Sequence, residues 1–173
     1  MDFDELIRTR YSVRKYKQDK VEKEKLEEIL EAGRLAPTAA NKQGQRILVV
    51  QEKIGLGKVA KAANIFDAPL VLIVCYDKND VWVRSYDSKN LMDIDASIVT
   101  THMMLQAVDL RLGSVWICKF EPLVLKEEFE LPGNWEPVNI LAVGYANEEP
   151  KPLDRFDSAR KPIDQTVFYE KVQ

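Results

Sequence analysis

Three side chains near the start of the chain have the chemistry to hold an anion. Arg10, Ser12 and Arg14 alternate within Arg10-Tyr11-Ser12-Val13-Arg14. In extended backbone, alternate residues share a face, so the two guanidiniums and the hydroxyl point the same way. A guanidinium fork matches phosphate oxygens bidentately, and a serine hydroxyl adds a further donor. The stretch therefore reads as an anion grip, although five residues on their own also suit a solvated basic turn. Arg160-Lys161, far along the chain, supplies a second basic pair. The loop Pro37-Thr38-Ala39-Ala40-Asn41-Lys42-Gln43-Gly44 sets two amide side chains among small residues. Asn41 and Gln43 each donate and accept, so the loop suits either a planar polar group or a plain connector.

The remaining candidates are weaker. Asp95 and His102 are seven residues apart on one side of a helical segment, which predicts a polar pair satisfied by its neighbours rather than a catalytic one. Cys75 and Cys118, the two cysteines, each lie in an apolar, strand-like run and are expected to be buried free thiols. With a single histidine and no Cys/His clustering, no zinc site is expected. No Ser-His-Asp order or paired catalytic carboxylates stand out. Gly55-Leu56-Gly57-Lys58 is only a partial match to a phosphate loop and lacks the required preceding strand.

Composition bounds the classes. A chain of 173 residues, 46% apolar and 31% charged, suits one soluble domain with a sizeable core. A net charge of −3 without a basic block interleaved with aromatics argues against nucleic acid as a partner. No apolar run approaches the roughly 20 residues that cross a bilayer. The acidic start, Met1-Asp2-Phe3-Asp4-Glu5, does not fit a signal peptide, so a cytoplasmic location is expected.

The positioning elements follow from periodicity. Helices are predicted at Asp2–Arg8, at Asp19–Ala36 with Asp19 as N-cap and Pro37 as the stop, and at Ile54–Asn64. A longer helix over Asp93–Leu112 is apolar on two stripes and should be buried at the domain centre or a subunit interface, with Gly113 ending it. A short helix opens at Glu121-Pro122 and runs to about Glu130. Strands are predicted at Gln45–Val50, Ala68–Tyr76, Ser114–Lys119 and Val138–Tyr145, the second buried on both faces. Asp77–Lys89, polar with Trp82 and Tyr86, reads as a surface segment and candidate lid. Pro150, Pro152 and Pro162 make the tail extended and unhelical, and its apolar residues should lie across another surface. Strands and helices mix without strict alternation, which favours an α+β layout with a central, mostly antiparallel sheet over a doubly wound one.

In this order the motifs resemble the nitroreductase family of flavin enzymes in its short form. The likeness rests on Arg10-x-Ser12-x-Arg14, Leu35-Ala36-Pro37-Thr38, Asn41 with Gln43, Leu112-Gly113-Ser114-Val115-Trp116-Ile117, Gly144-Tyr145, Arg160-Lys161-Pro162-Ile163 and Phe168-Tyr169-Glu170. Each motif is weak alone; their common register over nearly the whole chain is the signal. The resemblance implies a nitroreductase-like FMN-binding fold over residues 1–173. It implies a homodimer whose C-terminal tail, from about residue 148, crosses to the partner. FMN would bind non-covalently at the dimer interface. Arg10, Ser12 and Arg160, with Lys161 as a helper, would hold its phosphate, and Tyr11 would also belong to the cofactor site. Arg14 would reach the ribityl chain and the N1/O2 edge. Pro37 and Thr38 of the partner would line the ring, Asn41 and Gln43 would lie near its polar rim, and Trp116, Ile117 and Cys118 would pass its other side.

The implied activity is transfer of reducing equivalents from NAD(P)H to a nitroaromatic, a quinone or a similar small acceptor, by a ping-pong cycle in which the cofactor carries the chemistry. A specialised relative that dehalogenates reductively or fragments flavin ranks second, and a non-enzymatic FMN carrier or sensor third. Two departures from the family pattern stand out. Gln43-Gly44-Gln45 replaces Gln-Pro-Trp, and Asp95 replaces a small residue.

Overall fold

Leu70–Asp77 is buried at every position and forms the spine of the molecule. The computed structural model describes residues 1–172; Gln173, the last residue of the expected tail, lies outside the described residues. Four antiparallel strands, β1 (Gln45–Val50), β2 (Leu70–Asp77), β3 (Gly113–Ile117) and β4 (Trp135–Gly144), form one sheet in the order β1-β2-β4-β3. An unbroken run of Val, Leu and Ile fits β2 because apolar layers press on both faces. The register slips between Val74 and Cys75 against β4.

One face carries Val71, Ile73, Cys75, Ile140 and Ala142 under α3 (Lys53–Ala62) and α5 (Pro122–Glu128). The other carries Leu70, Leu72, Val74, Leu141 and Val143 under α2 (Lys23–Leu35) and α4 (Met92–Asp109). The short α1 (Phe3–Thr9), capped by the Asp2 carboxylate accepting from Glu5 N at 2.9 Å, packs on α4. The α+β layout expected from the sequence is thus the one observed. The central helix α4 buries Ala96, Val99, Met103 and Ala107 on its sheet side, while Ile94, Ile98, Thr101 and Leu105 remain partly exposed.

Several expectations are corrected. Helix α2 starts at Lys23 rather than Asp19, because the preceding residues stay extended and sink Val21 into the core. Gly113 does not end α4. The turn closes through Arg111 in the left-handed region (φ 63°), with Leu112 N donating to Ala107 O at 2.8 Å and Arg111 N to Val108 O at 2.9 Å. The fourth strand begins at Trp135, not Val138. The tail is not unhelical: Leu153–Arg155, Phe156–Ala159 (α6) and Ile163–Gln165 are short helical turns. Pro152 and Pro162 stand just before two of them, where a proline starts a turn rather than breaking it. The candidate lid holds a narrow ribbon, with Val83 and Asn90 bridged antiparallel and Tyr86 exposed at its end.

Two glycines should respond oppositely to alanine. At Gly113 a Cβ would come 2.6 Å from Val13 Cγ2, whereas at Gly57, inside α3, nothing lies within 4 Å. Gly113→Ala should lower the unfolding free energy by about 1–3 kcal/mol. Gly57→Ala should raise it by about 0.5–1 kcal/mol. Urea titration of both variants checks the signs.

Candidate functional site

The Arg10–Arg14 stretch is extended and runs beside β3, with Ser12 bridged in parallel to Ser114 and Val13 N donating to Ser114 O at 3.0 Å. Val13 and Tyr11 pack against the core layer, while Arg10 borders one cavity together with Tyr11 and Val13 and Arg14 borders another. Arg14 is exposed, its guanidinium 5.8 Å from the Phe66 ring centre, and its backbone N–H donates to Glu148 Oε1.

Arg10 is half-buried, and burial together with the charges of Arg155 and Arg160 pushes its guanidinium below the ordinary arginine value. Arg155 donates to Arg10 O at 2.7 Å and to Pro152 O at 2.7 Å. The Phe156 ring takes two guanidiniums, that of Arg155 at 4.0 Å and that of Arg160 at 5.1 Å. Among the described residues, none of Arg10, Arg14, Arg155 and Arg160 forms an ion pair. Arg8, Arg34, Arg46 and Arg84, by contrast, each meet a carboxylate. A folded chain does not gather like charges without a compensating anion at no cost, so this cluster suits a negatively charged ligand. Arg155 is the member that the sequence reading missed; its only signal was its place a few residues before Arg160.

Arg14 also borders a cavity of about 510 Å³. Phe66, Trp116, Ile117, Cys118 and Lys119 line the same cavity. The chain therefore brings Arg14, Trp116, Ile117 and Cys118 to one cavity, and Arg10 with Arg160 to one cationic cluster. Arg10 and Tyr11 border a second, smaller cavity of about 220 Å³. Lys161 is exposed beside Arg160. Phe66 and Lys119 were not foreseen. Cys118 is exposed at the cavity, correcting the expectation of burial. Only Cys75 is buried, where the apolar core pushes its thiol up to about 12.

Pro37, Thr38, Asn41 and Gln43 do not line that cavity; Pro37, Asn41 and Gln43 are exposed elsewhere on the chain. Their loop is taut. Ala40 (φ 49°), Asn41 (φ 53°) and Gln43 (φ 50°) all adopt left-handed backbone. Thr38 Oγ1 accepts from Gln43 N, and Arg46 donates to Gln43 O at 3.1 Å while reaching Asp77 and Asp80. Asp95 is buried and satisfied by its neighbours, as expected, but His102 is not buried with it. The Asp95 carboxylate accepts from Tyr76 Oη at 2.8 Å and Ala39 N at 3.0 Å, whereas His102 is half-exposed on the flank of α4. Burial, followed by the bond to Asp95, pushes the Tyr76 phenol up to about 12.

Residues 7–63 and 55–145 match the model of the Nitroreductase family. A nitroreductase family protein of Clostridium difficile 630, solved by crystallography, is 53% identical with a TM-score of 0.97, over 99% of this chain and 100% of that one. This chain belongs to the nitroreductase family. An FMN-dependent nitroreductase of Clostridium difficile R20291 is 30% identical with a TM-score of 0.77, over 96% of this chain and 98% of that one. The FMN reductase [NAD(P)H] of Bacillus subtilis strain 168 is 31% identical over 87% of this chain and 65% of its own length. As a nitroreductase-family protein the chain is an oxidoreductase. No helix among the described residues is long and apolar enough to cross a membrane.

The loop's anchor makes a pH prediction. The backbone N–H of Asn79, then the amide of Asn134 and the charge of Arg46, hold the Asp77 carboxyl below the ordinary aspartate value. A depressed acid stabilises the fold fully above its unfolded pKa, about 3.9, and that contribution is lost as pH falls through the lower folded value. Asp77→Ala should therefore unfold at lower urea than the parent chain at pH 7, and the difference should shrink as pH is lowered from about 4 toward 2. Urea midpoints across that range check it.

Proposed function

We propose that this nitroreductase-family chain is an FMN-dependent oxidoreductase that passes reducing equivalents from NAD(P)H to a small organic acceptor such as a nitroaromatic or a quinone, alternating the two at one site. The observation that carries the reading is the cluster of Arg10, Arg155 and Arg160, none of which has an ion-pair partner among the described residues. Its donors fit a phosphate monoester, and the cavity of about 510 Å³ that Arg14 borders, with Phe66, Trp116 and Ile117 in its wall, fits a flat ring system. The FMN of the Clostridium difficile R20291 relative and the NAD(P)H of the Bacillus subtilis relative agree with this reading.

In this account Arg10, Ser12, Arg155 and Arg160 hold the phosphate, with Lys161 adding charge at long range. Arg14 presents a cation at the cavity, where it would favour negative charge on the reduced cofactor. Trp116, Ile117 and Cys118 form one wall and exclude water. FMN supplies the hydride acceptor and donor at N5, so the chain needs no dedicated nucleophile. Pro37, Thr38, Asn41 and Gln43 stand away from this chain's cavity, which suits a homodimer in which they complete the partner's site. Exposed Ile163, Phe168, Tyr169 and Val172 on the tail, with the open flank of α4, supply apolar surface for that assembly. The whole chain then acts as one domain, its tail from about residue 148 reaching over the partner.

Purified protein should show a flavin absorbance spectrum that anaerobic NADH or NADPH bleaches, and a small acceptor should restore it. A colourless protein that takes up no FMN overturns the reading. Arg10→Ala should weaken FMN by about 1.5–3 kcal/mol, roughly ten- to hundredfold, in a fluorescence-quenching titration. Light scattering at micromolar concentration should give the mass of a dimer.

A further inference from the structure

Both ends of the strained loop are tied to one buried carboxylate. Asp95, 2% exposed on α4, accepts directly from Ala39 N at the loop's start. It also accepts from Tyr76 Oη, and the Tyr76 ring lies close against the loop's end at Gly44. A Cβ on Gly44 would come 2.2 Å from Tyr76 Cε1, so only glycine lets the chain pass there. Gly44 O in turn accepts from Asp77 N at 2.8 Å, fixing the chain as it enters β1. Between these two ties lie Ala40, Asn41 and Gln43 in left-handed backbone. Non-glycine residues hold that conformation only where their surroundings over-determine it. Without the carboxylate, Ala39 N and the buried Tyr76 Oη lose their acceptor, and the loop loses the ties that run through Asp95 to α4 and to Tyr76 of β2, keeping those from Thr38 and Arg46.

We infer that Asp95 is a positioning residue: acting through Tyr76 and the Ala39 amide, it presets Asn41 and Gln43 as the polar wall of the flavin ring. This rests on the cofactor reading above and assigns a task to a side chain outside the cavity. The wall meets the ring and not the phosphate, so Asp95 controls affinity for riboflavin and FMN alike, whereas Arg10 controls FMN alone.

The test uses full-length protein, Asp95→Ala, Asp95→Asn and Tyr76→Phe, with hydrogen exchange of the flavin-free forms and titration by FMN and by riboflavin. Asparagine can accept from Ala39 N and donate to Tyr76 Oη, so it should restore the wild-type pattern. Asp95→Ala should speed exchange of the Ala39–Gly44 amides at least tenfold while leaving the β2 and β4 amides protected. It should weaken FMN and riboflavin by the same factor, tenfold or more. Tyr76→Phe, a milder change with no cavity, should weaken both a few-fold. Unchanged flavin affinity in Asp95→Ala and Tyr76→Phe, with wild-type protein binding normally, overturns this inference alone. So does a loss confined to FMN, or an Asp95→Asn no better than Asp95→Ala. Wild-type protein that binds neither flavin overturns the cofactor reading and this inference with it.

Discussion

Like charges held together are the constraint on which the rest of this structure depends. Arg10, Arg155 and Arg160 converge from opposite ends of the sequence, and the repulsion and burial at Arg10 weaken its hold on its own proton. Backbone carbonyls and the Phe156 ring offset part of that cost, since Arg155 spends its donors on Arg10 O and Pro152 O. A carbonyl carries no full charge, so the cluster remains an incomplete set of interactions in the isolated chain. In the proposed reading a phosphate would complete it, adding to the tie that Arg155 already makes between the tail and Arg10 O.

The sheet and its flanking layers fix where the cluster and the cavity beside Arg14 sit. Strand β2 is buried on every residue, so the sheet cannot slide without exposing a full layer of Val, Leu and Ile. Strand β3 at the sheet's edge carries Trp116 and Ile117 to the cavity and pairs through Ser114 with Ser12 of the anion-binding stretch. On the opposite edge β1 follows directly from the taut loop, which Asp95, Tyr76 and Arg46 hold from three sides. One sheet thus carries the Arg10–Arg14 stretch at one edge and a taut polar loop at the other. Under the proposed function, two copies would complete each other's site.

Much of this was legible in the sequence because local chemistry and final structure agree. The run Leu70–Tyr76 is too apolar for anything but a strand covered on both faces, and Pro37 stops a helix wherever it falls. The alternation of Arg10, Ser12 and Arg14 became meaningful once the stretch proved extended. What failed was context. Val21 is drawn into the core, so the residues after Asp19 never join the helix. Arg111 accepts a left-handed conformation that glycine would take more cheaply, so Gly113 is freed to open β3, where its missing side chain makes room for Val13. Prolines in the tail mark where turns begin, although proline usually signals their absence. The roles of Arg155 and Asp95 depend on partners 145 and 56 residues away, and no local pattern encodes such distances.

A crystal structure of the protein grown with FMN tests the account's central claim most directly. The account predicts phosphate oxygens within about 3 Å of the Arg10 and Arg160 guanidiniums, with the ring in the cavity beside Trp116 and Asn41 and Gln43 of a second chain facing it. A phosphate bound elsewhere, or those guanidiniums paired with carboxylates of the protein while the cofactor sits outside, would contradict it.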